Sequence, residues 1–505
     1  MLLSLNSISP LDTMTRTAQS AAQVIARNTL FLMGGQIALR LGSFLFNIFV
    51  IRQLGDATFG QYSVVLAWTG LFAVLGDLGV TQYFTREVAR DPRRGDELFW
   101  DVAALRLILA VVASVVTIVG AVLRGYPTDI VIAVALFTTT YFFQAVLAPL
   151  TSVIVGNERL DIASVISVIG QVVFMLIGAV VLFSGGGLIA LVAVSFLNLP
   201  LMIGLSVWAV RHYNMRPVRP VFQISQWWRL VRWGLPFALI QLTLTFNFRI
   251  DTIILEQFAS FEVVGWYNAA YNFTRSLLTI SSALIIALPL TLAREHARDP
   301  EVVRPWYYRS VKFMVFVGLP LAVGGMLLAD RIVALLYGPD YAPAAVAVAI
   351  LVWDTPLLMY TALCGNLTTA IKREHTAMRI YLAVGLFNVV MNLALQPLFG
   401  MIAASVITVG SETVGVLLFY ILFRREFGAG LSFNHLFRLG VSAGLMGLLI
   451  IALRDLPLLL NVPISAGAYL ILVVVTGALT VQERQLIAGV LARKLGRFLP
   501  QRAKS

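Results

Sequence analysis

Long apolar stretches, separated by short polar segments, follow one another along almost the whole chain. A helix of about 20 apolar residues crosses the hydrocarbon core of a bilayer, whereas barrel strands alternate apolar and polar residues. The stretches do not alternate in this way, so the pattern predicts an all-α polytopic membrane protein with about fourteen transmembrane helices. The predicted spans cover residues 28–51, 62–85, 101–123, 129–155, 162–183, 187–210, 232–256, 264–292, 309–329, 343–370, 377–397, 400–423, 436–454 and 462–481.

The first six spans and the next six repeat one another. Gly60-Gln61-Tyr62 returns as Gly265-Trp266-Tyr267, and Gly187-Leu188-Ile189-Ala190 returns as Gly400-Met401-Ile402-Ala403. Six is an even number, so both copies enter the membrane from the same side. This predicts a parallel repeat about an axis along the membrane normal, with a binding site between the pseudo-symmetric halves.

The repeat divides the chain into five predicted segments. They are a cytoplasmic N-terminal segment (1–27), an N-lobe of spans one to six (28–226), a C-lobe of spans seven to twelve (227–426), two further spans (427–481), and a basic amphipathic tail (482–505) on the inner leaflet.

The composition excludes a soluble protein. The chain is 59% hydrophobic and 12% charged, with a mean hydropathy of +0.87, whereas soluble chains are about half apolar and a quarter charged. Cys364 is the single cysteine, which excludes an intrachain disulfide and a thiolate metal site. The first 26 residues lack the apolar core of a cleavable signal peptide.

The basic residues track one side of the membrane. The predicted N-terminal and C-terminal tails and every second loop hold 29 of the 37 Lys and Arg residues. This asymmetry places both termini in the cytoplasm, in an inner-membrane protein. It also explains the net charge of +12 without nucleic acid as a partner.

Three arginines lie deep inside predicted spans: Arg40 in span one, Arg249 in span seven and Arg275 in span eight. A charge at that depth costs about 3 kcal/mol or more in lipid, so each arginine should face protein or a water-filled cavity. The planar guanidinium fork suits phosphate oxygens. We predict substrate-binding roles for them, the alternatives being a buried acidic partner or an interfacial position.

Acidic residues in the second half are candidates for ion coupling. Asp251, Asp354 and Glu412 lie within spans seven, ten and twelve. A carboxyl group in an apolar setting exchanges a proton as its surroundings open to either side, which predicts proton coupling.

Sodium coupling is the competing interpretation. Asn388 and Asn392 lie four residues apart on one face of span eleven, and Thr408 lies near the middle of span twelve. With Asp251 they offer oxygen ligands suited to a hard cation. The structural alternative is that these side chains bridge helices by hydrogen bonds. No other cofactor and no resident metal are predicted.

Three further charged residues are assigned gate or structural roles. Arg52 ends span one, and Asp77 and Arg86 lie in the cytoplasmic half of span two, where we expect them to pair. Arg106, near the basic end of span three, is expected to reach the membrane interface.

No catalytic constellation is evident, so we predict that the chain is not an enzyme. The predicted outer loops are too short to form a catalytic domain, and all four histidines lie in cytoplasmic loops or at span ends, away from a buried nucleophile.

A set of short motifs occurs in a fixed order over the whole chain. They are Arg52-Gln53-Leu54-Gly55, Phe59-Gly60-Gln61-Tyr62, Asp77-Leu78-Gly79 with Arg86, Arg249-Ile250-Asp251-Thr252-Ile253-Ile254-Leu255, Val264-Gly265-Trp266-Tyr267, and Leu335-Leu336-Tyr337-Gly338 with Tyr341. In these motifs the chain resembles the bacterial and archaeal polysaccharide transporters of the multidrug/oligosaccharidyl-lipid/polysaccharide exporter superfamily, which includes the O-antigen flippases.

The resemblance implies a flippase that moves a polyprenyl-pyrophosphate-linked oligosaccharide across the cytoplasmic membrane by alternating access between two six-helix lobes. Membrane lipids, and the glycosyltransferases and glycan polymerase of the same pathway, are the implied partners. The resemblance also implies a precedent for sodium, because some lipid-flipping relatives join spans seven, eleven and twelve around that ion.

Two related functions remain open: a multidrug cation antiporter of the same superfamily, and a lipid II flippase. The deep arginines favour an anionic cargo over a cationic drug. A membrane glycosyltransferase or polymerase is disfavoured, because neither a metal-binding carboxylate motif nor a large outer loop is present.

Overall fold

The computed structural model describes residues 10–215, 222–278, 303–428 and 433–478. Within these ranges every long element is an α-helix and no strand occurs. The helices are α1 (Pro10–Phe72), α2 (Val80–Arg90), α3 (Arg93–Leu123), α4 (Thr128–Gly156), α5 (Leu160–Phe183), α6 (Leu188–Leu197), α7 (Leu199–His212), α8 (Trp227–Leu255), α9 (Phe261–Leu277), α10 (Val303–Leu327), α11 (Ala329–Leu336), α12 (Ala344–Leu351), α13 (Asp354–Ala370), α14 (Glu374–Phe427), α15 (Phe433–Ala452) and α16 (Leu458–Val475).

The all-helical membrane architecture predicted from the apolar stretches is confirmed. Nine helices among the described residues are long and apolar enough to cross a membrane, or up to eleven if each of two bent pairs forms one span. This is below fourteen partly because α1 and α14 each run through two predicted spans. The end of predicted span eight (279–292) and the predicted tail (482–505) lie outside the described residues.

Glycines join the two parts of α1 and of α14 without a loop. The helical geometry breaks at Gly55 (φ 73°) in α1 and at Gly400 (φ 53°) in α14. Both angles lie in the left-handed region, which glycine adopts without the steric cost of a Cβ. Gly55 lies between predicted spans one and two, and Gly400 is the first residue of predicted span twelve, so both breaks fall at boundaries that the hydropathy pattern predicts.

The chain forms two compact units. The first consists of residues up to Val50 together with Leu75–Ala238. Within it α4 packs against α2, α3 and α7, and the core contains Phe84, Val102 and Ile154. Small residues allow helices to approach closely in lipid. Gly156 of α4 is an example, since a Cβ there would lie only 2.6 Å from the Val88 side chain of α2.

The second unit consists of Ile51–Val74 together with the chain from Leu239 onward. Here α13 packs on α14, α9 on α12, and α10 on α15 and α13. One core cluster contains Tyr307, Leu363 and Phe419, and a second surrounds Leu439 and Met446 of α15.

Residues 51–74 are held in the second unit by the motifs of the sequence analysis. The Trp266 indole donates to Asp56 Oδ2 (3.0 Å) and to the Asp340 carbonyl (3.1 Å), and the Tyr341 hydroxyl donates to the Ile51 carbonyl (3.0 Å). A Cβ at Gly60 would lie 1.8 Å from the Phe261 carbonyl oxygen, so only glycine permits this contact. We call this group the motif cluster.

Arg52 completes the motif cluster and has a structural role. Its Nε donates to the Leu336 carbonyl (2.7 Å), and a second guanidinium nitrogen donates to the Leu335 carbonyl. These are carbonyls of the last turn of α11, which lack partners within their own helix. Arg52 thereby fixes the end of α11 against α1.

Candidate functional site

The second unit brings two of the three predicted arginines together. Arg275, on α9, donates from Nη2 to the Tyr271 hydroxyl (2.8 Å). Its guanidinium lies 3.7 Å from the centre of the Phe248 ring and 4.7 Å from that of Tyr271. These aromatic faces stabilise a cation without neutralising it. The buried Nε–H has no hydrogen-bond partner among the described residues.

Arg249, on α8, lies in the same region. Its Nε is 3.9 Å from the position that a Cβ would take at Gly70, so the absence of a side chain there leaves room for it. Arg249 is close enough to Arg275 and Tyr271 to interact electrostatically with both. Within the described residues neither arginine forms an ion pair, so two mutually repelling cations share one half-buried region.

Asp251 lies at the centre of a hydrogen-bonded cluster of uncharged donors. Asn392 donates to Oδ1 (2.8 Å), while the hydroxyls of Tyr267 (3.2 Å) and Thr408 (3.1 Å) donate to Oδ2. The carboxyl is 3% exposed. Arg249, two residues away on α8, lies on another helix face, as predicted. We call Asp251, Tyr267, Asn392 and Thr408 the Asp251 cluster.

A row of amides on α14 extends this cluster. Asn392 donates to the Asn388 side-chain oxygen (3.0 Å), and Gln396 donates to Asn392 and to the Asp251 carbonyl. Asn388 in turn donates to Ser411 (3.2 Å). The four-residue spacing of the amides places all three on one helix face.

The sequence analysis grouped Asp251, Asn388, Asn392 and Thr408, and the structure brings all four together. It did not include Gln396 or Tyr267. Gln396 continues the four-residue spacing that identified the two asparagines, so that spacing was the available signal. Tyr267 belongs to a family motif, but its sequence position alone does not indicate which helix its hydroxyl contacts.

Asp354 and Glu412 form the remaining acidic part of the site. Asp354 begins α13 and is 3% exposed, and its Oδ1 has no hydrogen-bond partner among the described residues. Glu412 accepts a hydrogen bond from Thr361 (2.8 Å). The two carboxyls are close enough to interact with one another and with Arg275. The buried Asp354 carboxylate and the half-buried Glu412 carboxylate repel each other, which opposes their simultaneous ionisation.

Arg40 stands apart from these groups. It lies on α1 in the first unit with an exposed side chain, and it forms no hydrogen bond or ion pair with another described residue. Among the side chains that the structure describes, none is an acidic partner of Arg40.

The first unit contains a charged pair that corrects two expectations. Arg106 is 7% exposed, and its Nε lies 3.4 Å from Asp77 Oδ1. Its Nη1 donates to Thr81 (2.5 Å), which itself donates to Asp77. The expected interfacial position of Arg106 is wrong, because Asp77 and Thr81 hold it in the protein interior.

The expected pairing of Asp77 with Arg86 is also wrong. Arg86 is exposed, lies 3.8 Å from Glu87, and packs over the rings of Tyr83 and Phe237. The chain breaks its helical path between α1 and α2, where a 3₁₀ turn covers Ala73–Gly76 and Gly79 has a φ of 73°. This break redirects Asp77 towards α3.

An apolar groove lies beside α9 in the second unit. It is formed by α9, α10, α15 and α16, encloses about 420 Å³, and is lined almost entirely by apolar side chains. Phe273 and Leu277, which line it, are each two residues from Arg275. A single helix therefore presents a cation on one face and the wall of an apolar groove on another.

The long apolar helices and the buried polar clusters define a polytopic membrane protein of the kind that moves polar material through a bilayer. The family model described as "Polysaccharide biosynthesis protein" matches residues 25–291, more than half of the chain. The chain belongs to this family. A second family model, MatE, matches residues 236–394.

Known proteins agree with this assignment. The "Probable flippase AglR" of Haloferax volcanii is 24% identical over 423 residues, which cover 78% of this chain and 82% of the relative. The solved lipid II flippase MurJ, in an inward closed conformation, has a similar fold, with a TM-score of 0.75, 13% identity, and coverage of 92% of this chain and 99% of that chain.

An inward-facing multidrug resistance MATE family transporter of the MOP superfamily is also similar in fold. Its TM-score is 0.62 at 15% identity, covering 77% of this chain and 98% of that chain. The predicted superfamily is confirmed by the family match and these folds together.

Proposed function

We propose that the protein is a flippase that carries a polyprenyl-pyrophosphate-linked oligosaccharide across the cytoplasmic membrane. The observation that carries this proposal is the pair of arginines in the second unit, Arg249 and Arg275, which have no acidic ion-pair partner among the described residues. Arg275, held by aromatic faces and a tyrosine hydroxyl, and the neighbouring Arg249 together suit the two phosphates of a lipid carrier. Relatives named as flippases support the same function.

The apolar groove supports a cargo with a lipid tail. A water-soluble drug would leave such a groove without an occupant, whereas a polyprenyl chain has the apolar surface to fill it. Arg275 and the groove residues Phe273 and Leu277 lie on different faces of α9, so a headgroup at the arginine and a tail in the groove would lie on either side of one helix, about 10 Å across. We assign the groove to the lipid tail of the cargo.

The buried acids support ion coupling. Asp251, Asp354 and Glu412 all lie within electrostatic range of Arg275. When all three carboxyls are ionised, their three negative charges outnumber the two positive charges of Arg249 and Arg275. The excess negative charge weakens the attraction of the site for an anion. A proton or Na⁺ taken up at the acids removes this opposition, so ion and cargo binding strengthen each other, and the linkage is reciprocal.

In this proposal Na⁺ and the proton bind at different acids. Asp251 accepts three hydrogen bonds from neutral donors, and its carboxylate oxygens are hard ligands suited to a cation such as Na⁺. The oxygens of Asn388 and Thr408 add hard ligands. Asp354 and Glu412, which oppose one another's ionisation, are the proton carriers of this proposal.

The proposed cellular setting follows from the charge asymmetry. Both termini lie in the cytoplasm of a protein of the inner membrane. The chain makes and breaks no covalent bond in the cargo. Glycosyltransferases that build the lipid-linked glycan, and a polymerase that consumes it on the outer side, are its proposed partners. Arg40 is proposed as a further contact to the cargo.

The proposal is tested by reconstitution into liposomes. A fluorescent polyprenyl-pyrophosphate oligosaccharide is incorporated, and the fraction that becomes accessible to a membrane-impermeant quencher is followed over time. We expect rapid exchange between leaflets for the pyrophosphate-linked sugar, slower exchange for the same sugar on a polyprenyl monophosphate, and no exchange for an uncharged lipid-linked sugar. Empty liposomes and the Arg454→Ala variant, which removes an exposed arginine paired with Asp330, are the controls.

Two outcomes would redirect the assignment. The match to the MatE model and the three buried acids favour a second candidate, a cation antiporter. Accumulation of a cationic dye without lipid exchange would establish that function instead. Exchange restricted to lipid II would narrow the cargo to that peptidoglycan precursor. Equal exchange of charged and uncharged lipids would contradict recognition of the pyrophosphate.

A further inference from the structure

A second groove lies in the first unit, separate from all the groups discussed above. It encloses about 660 Å³ between α3, α4, α7 and the segment that begins at Phe222. This volume lies within the range of sites that hold a small ligand. We call it the amphipathic groove, because its two ends differ in chemistry.

The polar end of the groove carries Arg211, Asn214 and the ring of Trp100. Arg211 is exposed and forms no ion pair with another described residue. The indole N–H of Trp100 is shielded from water and has no hydrogen-bond partner in the described chain. This end therefore offers an arginine without an ion pair and amide and indole donors, and none of the described residues that line it is a carboxylate.

The other end is apolar. Leu107 lies seven residues beyond Trp100 on α3, and Val207 lies four residues before Arg211 on α7. At 1.5 Å per helical residue the polar and apolar ends are about 10 Å apart along α3. On both helices the polar end is the one next to the basic loops, so the groove runs from the cytoplasmic interface into the hydrocarbon.

A buried acid fixes the groove wall. Asp101 is fully buried, and its Oδ1 accepts hydrogen bonds from the Gln223 backbone (2.8 Å) and the Trp227 indole (2.9 Å). These contacts tie the start of the segment before α8 to α3 and hold Phe222 near Trp100, with 6.4 Å between ring centres. The wall is thus part of the folded unit.

We propose that the amphipathic groove binds one anionic phospholipid of the cytoplasmic leaflet. Its phosphate contacts Arg211 and Asn214, and one acyl chain lies along α3 and α7 past Leu107 and Val207. Charge decides the occupant: a guanidinium without an ion-pair partner at the headgroup level attracts an anionic lipid and gives no advantage to a zwitterionic one. This inference goes beyond the proposed function and does not depend on it.

The test measures lipid retention by the purified full-length protein, using native mass spectrometry in detergent. Phosphatidylglycerol, phosphatidylcholine with the same acyl chains, and polyprenyl phosphate are titrated separately and in competition. We expect one phosphatidylglycerol to be retained in preference to phosphatidylcholine. Arg211→Ala should weaken its binding about tenfold, the equivalent of one charge-assisted hydrogen bond, and Arg211→Lys should restore part of it.

Two more variants complete the design. Arg90→Ala removes an exposed arginine on α2 that pairs with Glu87 outside the groove, so it makes the same charge change and should leave retention unaltered. Ala104→Trp fills the groove while keeping Arg211, and should lower retention of both phospholipids. Equal effects of Arg211→Ala and Arg90→Ala, equal retention of the two phospholipids, or displacement of phosphatidylglycerol by polyprenyl phosphate would each overturn the proposal.

Discussion

The half-buried Asp77 of the first unit and the buried Asp251 of the second unit are held in opposite ways. In the first unit Asp77 is paired with Arg106, and Thr81 bonds to both, so the charges cancel within the protein. In the second unit Asp251 is held only by neutral donors, while Arg275 lies against aromatic rings and a tyrosine hydroxyl, with Arg249 near enough to interact with it electrostatically. A self-neutralised pair stabilises a fold, whereas charges without ion-pair partners are available to a ligand.

The largest effect on stability is expected for a substitution of Arg106. The variant Arg106→Ala leaves Asp77 without its cation, and breaking a buried pair costs about 3 kcal/mol or more. The melting temperature of the purified protein should fall by several degrees. The double variant Asp77→Ala/Arg106→Met, which removes both charges, should recover most of the loss. A melting temperature unchanged in Arg106→Ala would show that this pair does not stabilise the unit.

Arg275 should show the opposite behaviour. Arg275→Ala is expected to lower the initial rate of lipid exchange about 100-fold, the equivalent of two lost charge-assisted hydrogen bonds to phosphate. The melting temperature should hardly change, because no ion pair is broken. Arg275→Lys keeps the charge and loses the fork, so it should retain part of the rate. A large loss of stability with an unaltered rate per folded molecule would assign Arg275 to the fold.

Asp251 tests which ion is coupled. Asp251→Asn keeps the size of the side chain and removes its charge, and it should lower the exchange rate about tenfold, within the usual range of a coupling energy. Stimulation by a Na⁺ gradient should disappear in this variant. Stimulation by a pH gradient should instead disappear in Asp354→Asn and Glu412→Gln. Loss of both responses in Asp251→Asn alone would contradict this division between the acids.

The smallest effect is expected at an exposed pair. Arg159 hydrogen-bonds to Asp161 through two nitrogens, each 3.2 Å from an oxygen, and this contact lowers the pKa of the Asp161 carboxyl. At pH values above the ordinary pKa of an aspartate, this contact stabilises the folded protein. The contribution disappears as the pH falls through the lowered pKa that Asp161 has in the folded protein. Because solvent screens the pair, Arg159→Ala should leave the melting curve unchanged between neutral and acidic pH. A clear shift would mean that surface pairs also carry stability here.

Much of the second unit could be predicted from the sequence because helical spacing is a reliable guide to shared faces. Asn388 and Asn392 were grouped by a four-residue interval, and that interval survives even where α14 runs through two spans. The family resemblance then implied that Asp251 and Thr408 join them, because some relatives bring spans seven, eleven and twelve together around sodium.

The first unit shows where this reasoning fails. A continuous helix over 62–85 would keep Asp77 and Arg86 in a simple register, but the chain leaves the helix after Phe72 and starts again at Val80. A Cβ at Gly79 would lie 2.1 Å from the Gly234 carbonyl oxygen, so the break is set by a contact about 155 residues away. Hydropathy carries no information about such a contact.

Residues 51–74 belong to the second unit although they precede most of the first unit in the sequence. This has a consequence for a protein produced as two separate polypeptides. A polypeptide ending near residue 238 would carry α1 past Gly55 with its Asp56, Arg52 and Gly60 facing no partner, because Trp266, Leu336 and Phe261 would be absent. The complementary polypeptide would lack the helix that covers those groups. Two fragments produced together should therefore bind each other through residues 51–74. A cut after residue 50 leaves these residues in the second fragment, so the two fragments should bind each other more weakly than after a cut near residue 238.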